Sequence, residues 1–259
     1  MEFRPCIDIH NGQVKQIVGG SLADRGDSAD ENFVSARDAD YYAELYKRKG
    51  IRGGHIILLN PASSDYHAAT KAQALKALRA YPQGLQTGGG INDENACEYL
   101  DAGASHVIVT SFVFRDGHID MKNLERMCAA VGKEHLVLDL SCRMRDGKYY
   151  IVTDRWQKFT DEVVEARTLD MLTGYCDEFL IHAVDVEGKS QGIEERLVRL
   201  LGNWGGRAAV TYAGGVHSYE DICLLKKLGG GKINVTVGSA LDIFGGALKL
   251  DKIMELVKE

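Results

Sequence analysis

The second half of this 259-residue chain repeats the first, and that repeat constrains the fold more than any single motif. Each half opens on an apolar run that reaches an aspartate, RPCIDIHNG around Asp8 and HLVLDLSC around Asp139. Each later carries a glycine turn, QTGGGIN at 86–92 and TYAGGVHS at 211–218. Each then has an apolar run ending on a small polar residue, HVIVTS to Ser111 and NVTVGS to Ser239. The offsets are 131 residues from Asp8 to Asp139, 125 from Gly89 to Gly214 and 128 from Ser111 to Ser239, all close to half the chain. Three landmarks at nearly one offset predict a pseudo-two-fold fold with a paired active site.

Short runs rich in Ile, Val and Leu recur at 4–8, 54–59, 83–87, 105–110, 135–140, 178–184, 208–212 and 233–237. They are continuously apolar rather than alternating, as strands are when helices cover both faces of a parallel sheet. Stretches of helical period lie between most of them, at 38–50, 71–81, 93–103, 161–175 and 218–229. Asp93 and Ser218 stand where N-caps belong, and Gly50, Gly103 and Gly229 where helices stop. Eight such units in this length predict an α/β fold, a closed (β/α)8 TIM barrel of two duplicated half-barrels. An open doubly wound sheet is the alternative. Nothing marks a linker, so residues 1–259 are expected to form one domain, with half-barrels at about 1–130 and 131–259.

A hydrophobic fraction of 45% supplies a substantial core. A net charge of −6 lacks the basic balance of a nucleic-acid coat, so no nucleic-acid partner is expected. Six scattered cysteines without a CxxC pair predict neither zinc nor a disulfide framework. No apolar stretch is long enough to span a bilayer. The start resembles a strand rather than a leader, which predicts a cytoplasmic protein, or a plastid stromal one if a transit peptide was removed.

In such a barrel chemistry sits at the C-terminal ends of the strands. Asp8 on the first strand and Asp139 on the fifth would face each other across an eight-strand mouth. A carboxylate beside an apolar layer is costly unless hydrated, paired or functional. Two in unlike surroundings can divide the work of general acid and base, although either could simply cap its loop. Gly89 and Gly90, and Gly214 and Gly215, would let backbone N–H groups approach an anion next to a helix start. Thr110 with Ser111, and Gly238 with Ser239, add donors at the neighbouring strand ends. The expected ligand therefore carries a phosphate at each end, with its middle between the two aspartates. His182 ends the sixth strand, followed by Glu187 and a turn at Gly188. Trp156, in the polar segment TDRWQKFT, is a candidate lid over a flat ligand. Gly20, in the first loop, completes the candidate phosphate contacts.

Taken together, IDIHNGQV, GGGI, LDL, HAVDVEG, YAGGV and VTVGSAL make the whole chain similar to one family. It resembles the histidine-biosynthetic isomerases acting on N′-(5′-phosphoribosyl)formimino-5-aminoimidazole-4-carboxamide ribonucleotide (ProFAR), in their eukaryotic-type branch. The resemblance implies an Amadori rearrangement of an aminoaldose to an aminoketose on a substrate with two phosphates. It implies Asp8 as the base at C2′ and Asp139 as the acid at the ring oxygen, with no cofactor. No protein partner is required, and a monomer is expected. Departures fall at His182 and Glu187, where bacterial members usually have Thr and Asp, and at Asn92 and Gln16, where they usually have Arg. The rival readings are the cyclase subunit of imidazole glycerol phosphate synthase and a noncatalytic phosphate-binding barrel.

Overall fold

The computed structural model describes residues 1–17, 21–22, 27–154, 156, 158–187 and 191–258. Gly20 and Gly188 lie outside the described residues. Eight parallel strands form the centre: β1 (Cys6–His10), β2 (Gly54–Leu58), β3 (Leu85–Gly88), β4 (Val107–Val109), β5 (Leu136–Asp139), β6 (Glu178–His182), β7 (Ala209–Ala213) and β8 (Ile233–Val235). They pair in chain order from β1 to β8. The ring closes where Phe3, just before β1, bridges Val235 of β8 in parallel. There Arg4 N–H donates to Val235 O, and Val235 N–H to Glu2 O, both at 2.9 Å. Every expected apolar run overlaps one of these strands.

One helix follows each strand: α1 (Ala39–Arg48), α2 (His67–Ala80), α3 (Ala96–Asp101), α4 (Met121–Val131), α5 (Ala166–Leu172), α6 (Glu195–Asn203), α7 (Tyr219–Leu228) and α8 (Leu250–Lys258). The chain is thus a (β/α)8 barrel. The main core, with Ile7, Ile9, Leu85, Leu138 and Phe179, lies between strands and helices. A separate cluster of Ile108, Val137, Leu180 and Ala213, with Ile57 against it, occupies the alternate strand positions inside the ring. Among the described residues no helix is long and apolar enough to cross a membrane.

Two sequence expectations need correction. The stretch 161–175 is not one helix: Lys158–Val163 is a strand, and only Ala166–Leu172 is helical. That strand completes an antiparallel sheet with Cys142–Arg145 and Lys148–Thr153, and this pairing overrides the local helical period. Asp93 does not cap α3, whose N-cap is Asn95; Asp93 instead pairs with Arg126 at 2.7 Å. Asn92 closes that turn, accepting from the N–H groups of Glu94 and Asn95. The first turn of α7 does have the expected cap, a box in which Ser218 and Asp221 satisfy each other's backbone. Asp221 Oδ2 also accepts from the His217 N–H.

Both aspartate-bearing strands lead into antiparallel excursions. After β1 come Gln13–Ile17 and Glu31–Val34, and after β5 the three-stranded sheet just described. These excursions rise from opposite sides of the ring; the first supplies Gln16 beside Asp8, and the second supplies Trp156 against Ser141.

Candidate active site

Asp139 is the last residue of β5 and His182 the last of β6, so adjacent strands present them together. Asp139 Oδ1 accepts from the Ser141 backbone N–H at 2.9 Å and from the Ser141 hydroxyl at 2.8 Å. Thr110, placed by sequence among the phosphate contacts, donates to Asp139 Oδ2 at 3.3 Å. His182 Nδ1 stands 3.5 Å from Asp139 Oδ1, close enough for an ion pair but not aligned as a hydrogen bond. Burial alone would raise the Asp139 carboxyl; His182 and the Ser141 donors outweigh it and hold the group below its ordinary range. Burial alone would lower the His182 imidazole. Asp139, Glu187 and Asp8 outweigh that and raise it.

Asp8 has a different environment. Its carboxyl is pushed up to about 6, first by burial and then by the Glu187 carboxylate, with His182, Cys6 and Gln16 opposing. Gln16 Nε2 donates to Asp8 Oδ2 at 3.2 Å and also approaches Cys6 Sγ at 3.5 Å. Burial raises Glu187 as well, with His182 opposing. The two aspartates are therefore shifted in opposite senses, the arrangement that separates an acid from a base.

Trp156 reaches this site. Its ring centroid lies 6.0 Å from that of His182, and its indole N–H donates to Ser141 Oγ at 3.1 Å. It holds a positive φ of 69°, uncommon for a bulky residue, at the tip of the excursion after β5. Below His182 lies His55 of β2, edge-on at 6.3 Å and kept neutral, its pKa lowered to about 3 chiefly by burial.

The paired glycine turns follow β3 and β7. Gly89 and Gly90 have φ of 103° and 72°, and Gly214 and Gly215 have 120° and 73°, so the two turns share one backbone form. A Cβ at 89 would stand 2.1 Å from Leu58 O, and one at 215 would stand 2.0 Å from Gly192 O. Packing by itself thus requires glycine at those two positions. Around Gly90 there is open space. Ser111 is exposed beyond β4, while Gly238 and Ser239 are half-buried beyond β8. A Cβ at 238 would meet Gln16 Oε1 at 2.7 Å, so this glycine also leaves room for the amide that holds Asp8.

Sequence reasoning did not assign roles to Ser141, His55 or Gln16. A signal existed for each: Ser141 follows Asp139 by two residues, His55 interrupts an apolar run, and Gln16 departs from the family's usual arginine.

The family model described as "Histidine biosynthesis protein" matches residues 2–248. Similar proteins include a chloroplastic enzyme of Medicago truncatula, 53% identical over 252 residues, covering 96% of this chain and 79% of the relative. A Yarrowia lipolytica protein is 49% identical, covering 95% of this chain and 93% of its own length. A Saccharomyces cerevisiae protein is 46% identical, with 95% and 94% covered. All three are named 1-(5-phosphoribosyl)-5-((5-phosphoribosylamino)methylideneamino)imidazole-4-carboxamide isomerase.

Proposed function

The chain belongs to the histidine biosynthesis protein family, and we propose that it catalyses the isomerisation for which its relatives are named. The substrate is ProFAR, an aminoaldose with a phosphate at each end. A proton delivered from the Asp139 side reaches the furanose ring oxygen, the C1′–O bond breaks, and the nitrogen lone pair forms a C1′=N bond. Asp8 then removes the C2′ proton, and the resulting enolamine relaxes to the 2′-ketose. The observation that carries this reading is the opposed setting of two carboxylates on β1 and β5 of one barrel mouth. Asp8 has a pKa of about 6, and its carboxylate is a competent base near neutrality.

The turns at Gly89–Gly90 and Gly214–Gly215, with Ser111, Gly238 and Ser239, are the proposed phosphate cradles. Their likeness in backbone form supports one type of ligand group at both ends. Trp156 is the proposed cover over the flat imidazole, and His182 and Glu187 line the middle. Residues 1–259 are proposed to act as one domain and as a monomer. Among the described residues the exposed large hydrophobics, Val34, Tyr41, Tyr66 and Met171, are few. The cytoplasm is the proposed compartment. The plastid stroma is the alternative, suggested by the chloroplastic plant relative.

Pure protein added to ProFAR, with the downstream synthase and ammonia reporting the ketose, tests the activity. Ketose formation is expected without a second protein. Tight binding of ProFAR without conversion would instead identify a binding barrel, and ammonia-dependent turnover of the ketose by this chain alone would identify a cyclase.

A further inference from the structure

The donors around Asp139 create a difficulty for its role as an acid. Its Oδ1 accepts two bonds from Ser141, and its Oδ2 accepts one from Thr110. A carboxylate surrounded by donors on both oxygens is stabilised as the anion. An acid must instead carry a proton, so the proton needs another place to reside.

One imidazole nitrogen meets that need. His182 Nδ1 is buried, has no hydrogen-bond partner among the described residues, and faces Asp139 Oδ1 at 3.5 Å. Its ring is held between Trp156 above, at 6.0 Å, and His55 below, at 6.3 Å. We propose that His182 holds the acid proton of the resting site and passes it through the Asp139 carboxylate to the ring oxygen of the substrate. This inference rests on the isomerase reading and deepens it. His182 acts through Asp139, as a proton-supplying and positioning residue.

The step balances. The Nδ1–H bond breaks, Asp139 takes the proton and hands it on, and an O–H bond forms at the ring oxygen as C1′–O breaks. His182 is left neutral, Asp139 ionised, and the positive charge rests on the new iminium. Over the whole rearrangement the ring oxygen and C1′ gain protons while C2′ and its hydroxyl lose them. The pair therefore returns to its loaded state with no net proton consumed.

The surroundings favour a charged ring. Asp139 from β5, Glu187 from the loop after β6 and Asp8 from β1 all raise it, against burial, while the neutral His55 of β2 opposes them. His182 should then remain protonated above the usual histidine range, with Asp139 ionised beside it.

The test combines kinetics with direct titration. The variant His182→Gln keeps the bulk and removes the proton. Its kcat is expected to fall about a hundredfold, with the alkaline limb of the kcat profile displaced to lower pH because Asp139 alone is a stronger acid. Nitrogen-15 NMR of the ligand-free wild type should show a doubly protonated His182 ring at pH 7. A wild-type kcat and alkaline limb in His182→Gln, or a neutral ring at pH 7, would overturn the proposal. The NMR result decides it even if the variant does not fold. Failure of the isomerase reading is distinguishable, since wild-type protein would then leave ProFAR unconverted.

Discussion

Gln16 Nε2 donates to Asp8 Oδ2 at 3.2 Å from a strand outside the barrel ring, and Gly238 leaves the space that this amide occupies. The carboxylate is thus held by a neutral donor. With burial and then Glu187 pushing it up, its pKa settles at about 6. A base must be ionised, so kcat/KM should fall as pH falls through about 6. Removing the Glu187 charge in Glu187→Gln should move that acid limb to lower pH. Removing the donor in Gln16→Met should move it to higher pH, because the anion loses a hydrogen bond. Profiles of kcat/KM for the three proteins read both signs.

The raised Asp8 also predicts a stability trade. In the unfolded chain its carboxyl titrates near the ordinary 3.8, and in the folded protein at about 6. The folded state therefore holds the proton more tightly. Stability falls as pH rises through that window, and the full penalty, about 3 kcal/mol, is present above it. Asp8→Asn should melt at a higher temperature than wild type at pH 7.5. The gain should vanish below pH 3.8, where both states of the wild type carry the proton. Melting curves across that range check the prediction.

The glycine turns separate packing from binding. Gly215→Val must displace the Gly192 carbonyl, which a Cβ would approach to 2.0 Å, so it should lower the melting temperature as well as substrate affinity. Gly90 has open space and a φ of 72°. Gly90→Ala should cost only about 1 kcal/mol of backbone strain, yet raise KM if a phosphate sits there. Melting and KM measured on both variants distinguish the two effects.

At the opposite end of the barrel, away from the two aspartates, Glu178 opens β6 at 2% exposure. It pairs with Arg4 and accepts from Thr211 and, at 2.6 Å, from Gln86. Glu178→Ala takes from Arg4 its buried partner and leaves only the exposed Glu2 carboxylate, with Thr211 and Gln86 facing an empty position. A loss of about 3–5 kcal/mol in chemical denaturation is expected, with turnover per folded molecule retained.

Strand positions and the aspartate pair were legible because a buried parallel strand writes itself as a local apolar run, and because duplication makes position 8 and position 139 label each other. The antiparallel sheet at 142–163 was not legible. Lys158–Val163 mixes charged and apolar residues, and only its pairing with Lys148–Thr153 makes it a strand. Polar side chains inside the ring were also hidden, since their partners are remote in sequence: Arg4 and Gln86 find Glu178. Gln16 is only eight residues from Asp8, but the two meet because its strand folds back beside β1. Thr110 was noticed for a phosphate, and its hydroxyl donates to Asp139. A strand-end hydroxyl reads the same in sequence whichever anion it serves.

The division of labour between the two carboxylates is tested most directly by Asp8→Asn and Asp139→Asn, which preserve shape and remove the charge. Turnover of ProFAR and its calorimetric Kd would be measured on both variants beside the wild type. The wild type is expected to convert ProFAR. Each variant should lose turnover by about 10²-fold to 10⁴-fold, with a Kd within a few-fold of wild type. Turnover at the wild-type rate in either variant would contradict that division.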